Sequence, residues 1–238
     1  MRKKIINWIK KQLKDSGTKG IVLGLSGGID SALVAALAKE AVGKDRVLAL
    51  ILPCYSQMQD LIDAELIAKQ LGIKAQTLDL SQIYNNLIGI LPVAGNLAKA
   101  NLKPRLRMLV LYYFANKLNY LVCGTGNKSE LSIGYFTKHG DGATDILPIG
   151  DLLKKDVRTL AKQLKLSVRI INKPPTAGLW PGQTDEGEMG ITYPELDDIL
   201  ERMTKKRKQT LSKEKTEKVS QMIHRSAHKR QGPKVCYL

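Results

Sequence analysis

The sequence predicts an α/β protein built on a doubly wound, mainly parallel sheet with helices on both faces, and two observations point there. Apolar runs of strand length alternate with segments of helical spacing, and those segments are about ten residues or longer, as parallel crossovers require. The strand candidates are Ile21 to Leu25, Val47 to Leu52, Ile73 to Leu80 and Tyr120 to Gly124. Helices are expected from Asp30 to Val42, from about Gln59 to Leu71 and from about Leu102 to Leu118. In such a sheet the ligand site lies at the carboxyl ends of the strands.

The flanking elements follow from spacing and from turn residues. Ile5, Ile9 and Leu13 stand four apart with Trp8 nearby, which is an amphipathic helix and not the apolar stretch of a signal peptide. In the long helix Leu102, Leu106, Leu109, Val110 and Tyr113 form one stripe, expected to be core or subunit interface. Leu87 to Asn96, with Gly89, Pro92 and Gly95, and Lys173 to Gly190, with Pro174, Pro175, Gly178, Pro181, Gly182, Gly187 and Gly190, read as mobile lids. Pro194 to Met203 and Ser212 to Arg230 read as two helices, the second stopped by Gly232 and Pro233. Residues 1–238 are thus expected to form one domain with a helical C-terminal part from about 194.

Composition narrows the class. A chain of 238 residues with 43% hydrophobic content can bury one sizeable core, and it has no run of eighteen apolar residues to span a membrane. Cys54, Cys123 and Cys236 are far apart, so neither a disulfide framework nor a zinc ribbon is indicated, and a reducing cytoplasm fits. The net charge of +16 gathers toward the C-terminus, in Lys205, Lys206, Arg207, Lys208, Lys213, Lys215, Lys218, Arg225, Lys229 and Arg230. It can be a solvated helix surface, a field that attracts nucleotides, or an RNA contact, and charge alone does not separate these.

The most informative segment is Ile21-Val22-Leu23-Gly24-Leu25-Ser26-Gly27-Gly28-Ile29-Asp30-Ser31, a buried strand running through a Ser-Gly-Gly turn straight into a helix. Glycines let the backbone approach a ligand closely, and the amides at the helix start favour an anion. One helix terminus offers a charge only about 0.3–1 kcal/mol, so several amides and the hydroxyls of Ser26 and Ser31 must act together on a phosphate chain. Asp30 would repel phosphates unless a divalent cation sat between, which implies Mg²⁺. The loop is neither a Walker A motif, which needs Lys after its last Gly, nor a dinucleotide fingerprint. It resembles the ATP pyrophosphatases that carry S-G-G-x-D-S, enzymes that hold the pyrophosphate of ATP and transfer AMP to an acceptor; the resemblance implies their adenine nucleotide alpha hydrolase-like version of the doubly wound fold.

Five further segments sharpen the resemblance. They are Asn101-Leu102-Lys103-Pro104-Arg105-Leu106-Arg107-Met108, Gly124-Thr125-Gly126-Asn127-Lys128-Ser129-Glu130, Gly134 to Asp145, Asp185-Glu186-Gly187-Glu188-Met189-Gly190-Ile191 and His228-Lys229-Arg230. In this order and spacing the chain resembles the NAD synthetase family over nearly its whole length. The resemblance implies ligation of ammonia to the nicotinate carboxylate of deamido-NAD through an adenylated intermediate, giving NAD, AMP and pyrophosphate. It implies that Gly24, Leu25, Ser26, Gly27, Gly28, Ile29, Asp30 and Ser31 embrace ATP together with Thr125, Lys154 and Thr176. It implies Mg²⁺ on Asp30 and Glu130, catalytic roles for Asp30 and Lys154, and deamido-NAD contacts from Arg105, Lys138, Asp145, His228 and Lys229, with Asp141 nearby. It also implies a homodimer, and no nucleic-acid or membrane partner is expected.

Each side chain has an ordinary reading as well: Lys138 and Arg105 as surface charges, Glu130 as a helix cap, Thr176 as a turn residue after Pro174-Pro175. His224 and His228 stand four apart, but no acid or cysteine beside them completes a metal site. Two departures from the family pattern matter. Pro104 stands where the family commonly has Ala, which fits only if it occupies the first turn of the long helix. Nothing resembles the glutamine-hydrolysing domain of larger relatives, so free ammonia is the expected nitrogen donor. The rivals are a tRNA-modifying ATP pyrophosphatase, which would put the basic C-terminus on RNA, and a nucleotide-binding protein of the same fold without chemistry.

Overall fold

The structure, a computed structural model, describes residues 1–180, 182–205 and 212–236. Four strands, β1 (Gly20–Gly24), β2 (Val47–Ile51), β3 (Lys74–Thr77) and β4 (Tyr120–Val122), form one parallel sheet in the order β3-β2-β1-β4. Around it lie α1 (Arg2–Ser16), α2 (Ile29–Val42), α3 (Met58–Leu71), α4 (Ser81–Ile90), α5 (Asn96–Leu118) and α6 (Lys128–Ile133). The C-terminal half continues with α7 (Lys154–Gln163), α8 (Val168–Ile171), α9 (Asp185–Met189), α10 (Tyr193–Lys205) and α11 (Lys213–Arg225). The expected doubly wound parallel sheet is therefore present.

Alternation along β1 explains the layers. Ile21 and Leu23 point into a core shared with α1, α2, α3 and α7, while Val22 joins Leu48 and Leu50 against α4 and α5 on the other face. A third apolar cluster of Ile133, Met189, Tyr193, Leu196, Ile199 and Val219 unites α6, α9, α10 and α11. Chain order reverses at β1: β2 lies on one side and β4, reached after a long excursion, on the other. The crevice beyond the carboxyl ends of β1 and β4 is the topological switch point where ligands of such sheets bind.

Several boundaries differ from expectation. β3 holds four residues, not eight, because it is an exposed edge; Leu78 and Leu80 still donate to Ile51 O and Pro53 O, but outside regular strand geometry. Leu87 to Ile90 are the last turn of α4, so only residues 91–95 connect it to α5, and α9 occupies part of the second expected lid. Pro104 is not in a first turn. The helix starts at Asn96 with Gly95 as its N-cap, which places Pro104 in the interior, where it has no N–H for the carbonyl of Ala100. It is buried, and a Cβ at Gly140 would lie 3.0 Å from its own Cβ. The last helix stops at Arg225 instead of Arg230, with buried Ser226 as its C-cap and a single tighter turn over Ala227–Lys229 after it; Ser226 packs where a side chain on Gly134 would stand. Pro181 and the basic residues Lys206, Arg207 and Lys208 lie outside the described residues.

Replacing a helix-interior proline restores a backbone bond, and Pro costs about 3 kcal/mol more than Ala at such positions. Pro104→Ala is therefore expected to stabilise the chain by about 1 kcal/mol or more in urea unfolding, even after losing contacts to Gly140. A lowered urea midpoint would show that ring packing outweighs the missing bond.

Candidate active site

The Ser-Gly-Gly turn sits at the end of β1. Gly27 has φ +76°, and a Cβ there would lie 2.3 Å from Asp60 O, so only glycine fits. Ser26 Oγ donates to Ser31 Oγ at 3.1 Å, Ser31 Oγ donates to Gly28 O at 3.0 Å, and Gly28 N–H donates to Ser26 Oγ at 3.3 Å. This net shapes the turn without capping α2, whose N-cap Gly28 leaves the first-turn amides without a side-chain acceptor. Leu25 and Ile29 are buried and serve the core, Leu25 N–H donating to Leu50 O at 2.8 Å.

Beside the turn lies a buried ammonium among acids. Lys154, the first residue of α7, is 2% exposed; its Nζ lies 2.6 Å from Asp30 Oδ2 and 3.2 Å from Glu130 Oε1. Asn127 ties the two acids together: its Nδ2 donates to Asp30 Oδ1 at 2.9 Å, and it forms a reciprocal capping box with Glu130 at the start of α6. Burial opposes the charge on Lys154, yet Asp30 and Glu130 more than offset it, and the ammonium's pKa is raised. Tyr193 closes the far side, its ring centre 4.8 Å from Nζ and its hydroxyl 2.9 Å from Asp185 Oδ2. The lysine backbone is fixed as well. Lys154 N–H donates to Ser129 Oγ, Ser129 Oγ donates to Asp197, and Asp197 accepts Lys155 N–H at 2.8 Å.

The described part of the segment after α8 is pinned against the turn in two places. Lys173 Nζ donates to Asp60 and Asp63, each at 2.7 Å, and to Gly27 O at 3.3 Å. Lys103 Nζ donates to Leu179 O at 2.7 Å. Thr176 is engaged inside this segment, donating to Gln183 O and accepting Gly178 N–H. Thr125 stands just past β4, after Gly124, where a Cβ would meet Thr144 and Leu147 within 2.8 Å.

A second group assembles around the segment after α6. Arg105 donates to Lys138 O, Lys138 Nζ donates to His228 O at 2.8 Å, and Lys229 Nζ donates to Gly134 O and Phe136 O. The exposed His228 thus engages this net through its carbonyl, while its ring stays free for other contacts. Asp145 sits apart from these cations: Val122 N–H and the Tyr112 hydroxyl donate to its carboxylate, which extends the hydrogen bonding of β4. Asp141 accepts Thr137 N–H at 2.8 Å.

The family model described as NAD synthase matches residues 1–233. The chain belongs to the NAD synthase family. It is 49% identical over 234 residues to the NH(3)-dependent NAD(+) synthetase of Archaeoglobus fulgidus, covering 98% of this chain and 94% of that one. Among solved structures it resembles NMN synthetase from Francisella tularensis, at 40% identity and TM-score 0.92, covering 100% and 97% of the two chains. It also resembles the NH3-dependent NAD synthetase from Campylobacter jejuni, at 32% identity and TM-score 0.87, covering 99% and 97%.

Within this NAD synthase fold the structure gathers Gly24 to Ser31, Asp30, Thr125, Glu130 and Lys154 at the switch point, while the contacts of Thr176 stay within its own segment. Sequence reading missed Asn127, Asp185, Tyr193, Lys173 and Lys103. Asn127 could have been found, since Asn three residues before Glu at a strand-to-helix turn is a capping-box pattern. Asp63 and Lys173 could not, because 110 residues separate them. Among the described residues no cluster of three or more His, Cys, Asp or Glu forms a self-sufficient metal site. Two carboxylates that complete their shell with substrate phosphates are nevertheless a donor set that suits Mg²⁺.

Burial pushes Glu130 up to about 7 against the pull of Lys154. The folded chain then holds a proton that the unfolded chain, near 4.5, releases. The stabilisation is fully present below that lower value and is lost as pH rises through about 7. Without added metal, the urea midpoint of the parent chain should fall between about pH 5 and 7.5 relative to Glu130→Gln, which cannot titrate. Parallel curves would contradict the shift.

Proposed function

We propose that the chain is an ammonia-dependent ligase that adenylates the nicotinate carboxylate of deamido-NAD with ATP and lets ammonia displace AMP, the amide-forming last step to NAD. The observation that carries this reading is the buried Lys154 ammonium between Asp30 and Glu130, beside a glycine turn with uncapped helix amides. The curated relative at 49% identity carries the corresponding name.

The roles assigned follow from chemistry. Amides of Gly24 to Ser31, with the Ser26 and Ser31 hydroxyls, hold the phosphates of ATP, and Thr125 and Thr176 complete the nucleotide site. Asp30 and Glu130 would hold Mg²⁺, which when bound neutralises phosphate charge. Lys154 meets the negative charge that grows on departing pyrophosphate. Arg105, Lys138, His228 and Lys229 supply cationic and polar contacts for deamido-NAD, and Asp145 accepts from its hydroxyl or amide donors. Burial raises the thiol pKa of both Cys54 and Cys123, which makes them poor nucleophiles, so positioning and electrostatics carry the acceleration. The segment 172–184 excludes water from the adenylate.

A homodimer belongs to the same reading. Leu109 and Tyr113 on α5 are 60% and 61% exposed, and with Ile83 on α4 they leave an apolar face open to a second copy. Among the described residues no helix is long and apolar enough to cross a membrane, and the three cysteines are unpaired, which suits a cytoplasmic enzyme of one domain.

The likeness to the Francisella protein favours a second acceptor, the mononucleotide counterpart of deamido-NAD. The test is direct. With ATP, Mg²⁺ and ammonia, the chain should form AMP and NAD from deamido-NAD, at least tenfold more efficiently than it amidates nicotinate mononucleotide. The reverse preference would move it to the second reading, and no AMP with either acceptor would refute both. Asp30→Asn and Gly27→Ala should each lower kcat/KM by roughly a hundredfold or more, the first through lost charge and the second through the clash with Asp60.

A further inference from the structure

Lys154 has three carboxylates around it and is bonded to two of them. Its ammonium contacts Asp30 and Glu130, and Asp185, outside ion-pair distance of Nζ, is joined to the same pocket through the Tyr193 hydroxyl. The Tyr193 hydroxyl shares its proton between Asp185 Oδ2 at 2.9 Å and Glu130 Oε1 at 3.3 Å, so one hydroxyl spans the two acids directly beside Nζ. Asp185 is 4% exposed. Its other oxygen, Oδ1, is the one buried side-chain polar atom among the described residues with no hydrogen-bond partner. Native interiors rarely leave such an atom unpaired, and each exception asks for an explanation in strain, in a bound water or ion, or in a functional role.

The chain itself offers the partner. An ammonium has three protons to donate, and that of Lys154 spends its bonds on the two acids expected to turn toward a divalent cation when nucleotide binds. With both acids turned away, the buried ammonium is left to the phosphates alone unless another carboxylate compensates it. We propose that Asp185 is the alternate acceptor for Lys154: held by Tyr193, it receives the ammonium on Oδ1 when Asp30 and Glu130 are drawn away, and so keeps Nζ placed beside the phosphates. Asp185 is a positioning residue in this account. It opens α9, and its N–H donates to Pro175 O at 3.2 Å, so the acceptor is presented by the same segment that folds over the glycine turn. The hand-over rests on the ligase reading, in which Asp30 and Glu130 hold the cation.

Calorimetric titration of the full chain with MgATP and no acceptor tests it without catalysis. Asp185→Asn should raise the Kd for MgATP by roughly tenfold when Lys154 is present and by less than about twofold in a Lys154→Gln background, because without the ammonium nothing needs a new acceptor. With ATP and a chelator in place of Mg²⁺, the effect of Asp185→Asn should stay within about twofold. Tyr193→Phe keeps the ring but frees Asp185, and should repeat the pattern at smaller size; if Asp185→Asn does not fold, this variant decides. Equal losses in both lysine backgrounds, or no loss in either, overturn the hand-over while leaving the ligase reading intact. Failure of the parent chain to bind MgATP at all would overturn both.

Discussion

The arrangement of the site depends on one buried ammonium. Lys154 is nearly inaccessible to solvent, and a cation in that position persists only because Asp30 and Glu130 are delivered to it from two different strand ends. Asp30 arrives on α2 directly after β1, and Glu130 on α6 directly after β4; these two strands are neighbours because the sheet reverses its order there. The topology therefore creates the charge pocket, and the pocket in turn fixes where α7 begins. Ser129 and Asp197 hold that first turn by its backbone, so the lysine is located at both ends of its side chain.

The glycine turn and the pinned segment are consequences of the same geometry. Gly27 lies against Asp60 O, and Asp60 together with Asp63 takes Lys173, so the start of the covering segment is anchored to the wall of the phosphate turn. Lys103 fixes its middle through Leu179 while its ammonium lies near the rings of Tyr55 and Tyr84. Lys173 retains partial solvent access, and Asp63, its buried acceptor, is also paired with Arg169 at 2.8 Å, whereas Lys103 is itself buried and bonds a carbonyl.

Much of this was legible in the sequence. Strand order aside, the alternation of apolar runs with long helical patterns gives the parallel sheet, and the serines, glycines and Asp30 of the first turn give the anion site, because local spacing encodes both. The boundaries that moved have local causes that periodicity does not report: α5 begins six residues earlier than Leu102 because Gly95 caps it, which puts Pro104 in its interior, close to Gly140. What could not be read is the set of partners brought together by folding. Asp185 and Tyr193 look like a helix start and a core aromatic, and Asp145 resembles a ligand residue while it also finishes the hydrogen bonding of β4. The family resemblance supplied the short list of site residues, but which of them lean on one another is a property of the packed chain.

Every role at this site depends on where the polyphosphate goes. A structure of the chain with magnesium and a non-hydrolysable ATP analogue is expected to place phosphate oxygens against the amides of residues 26–31, with the carboxylates of Asp30 and Glu130 turned toward them and the Lys154 ammonium alongside. Phosphates seated elsewhere, or both acids still paired with Lys154 and facing away from the nucleotide, would contradict it.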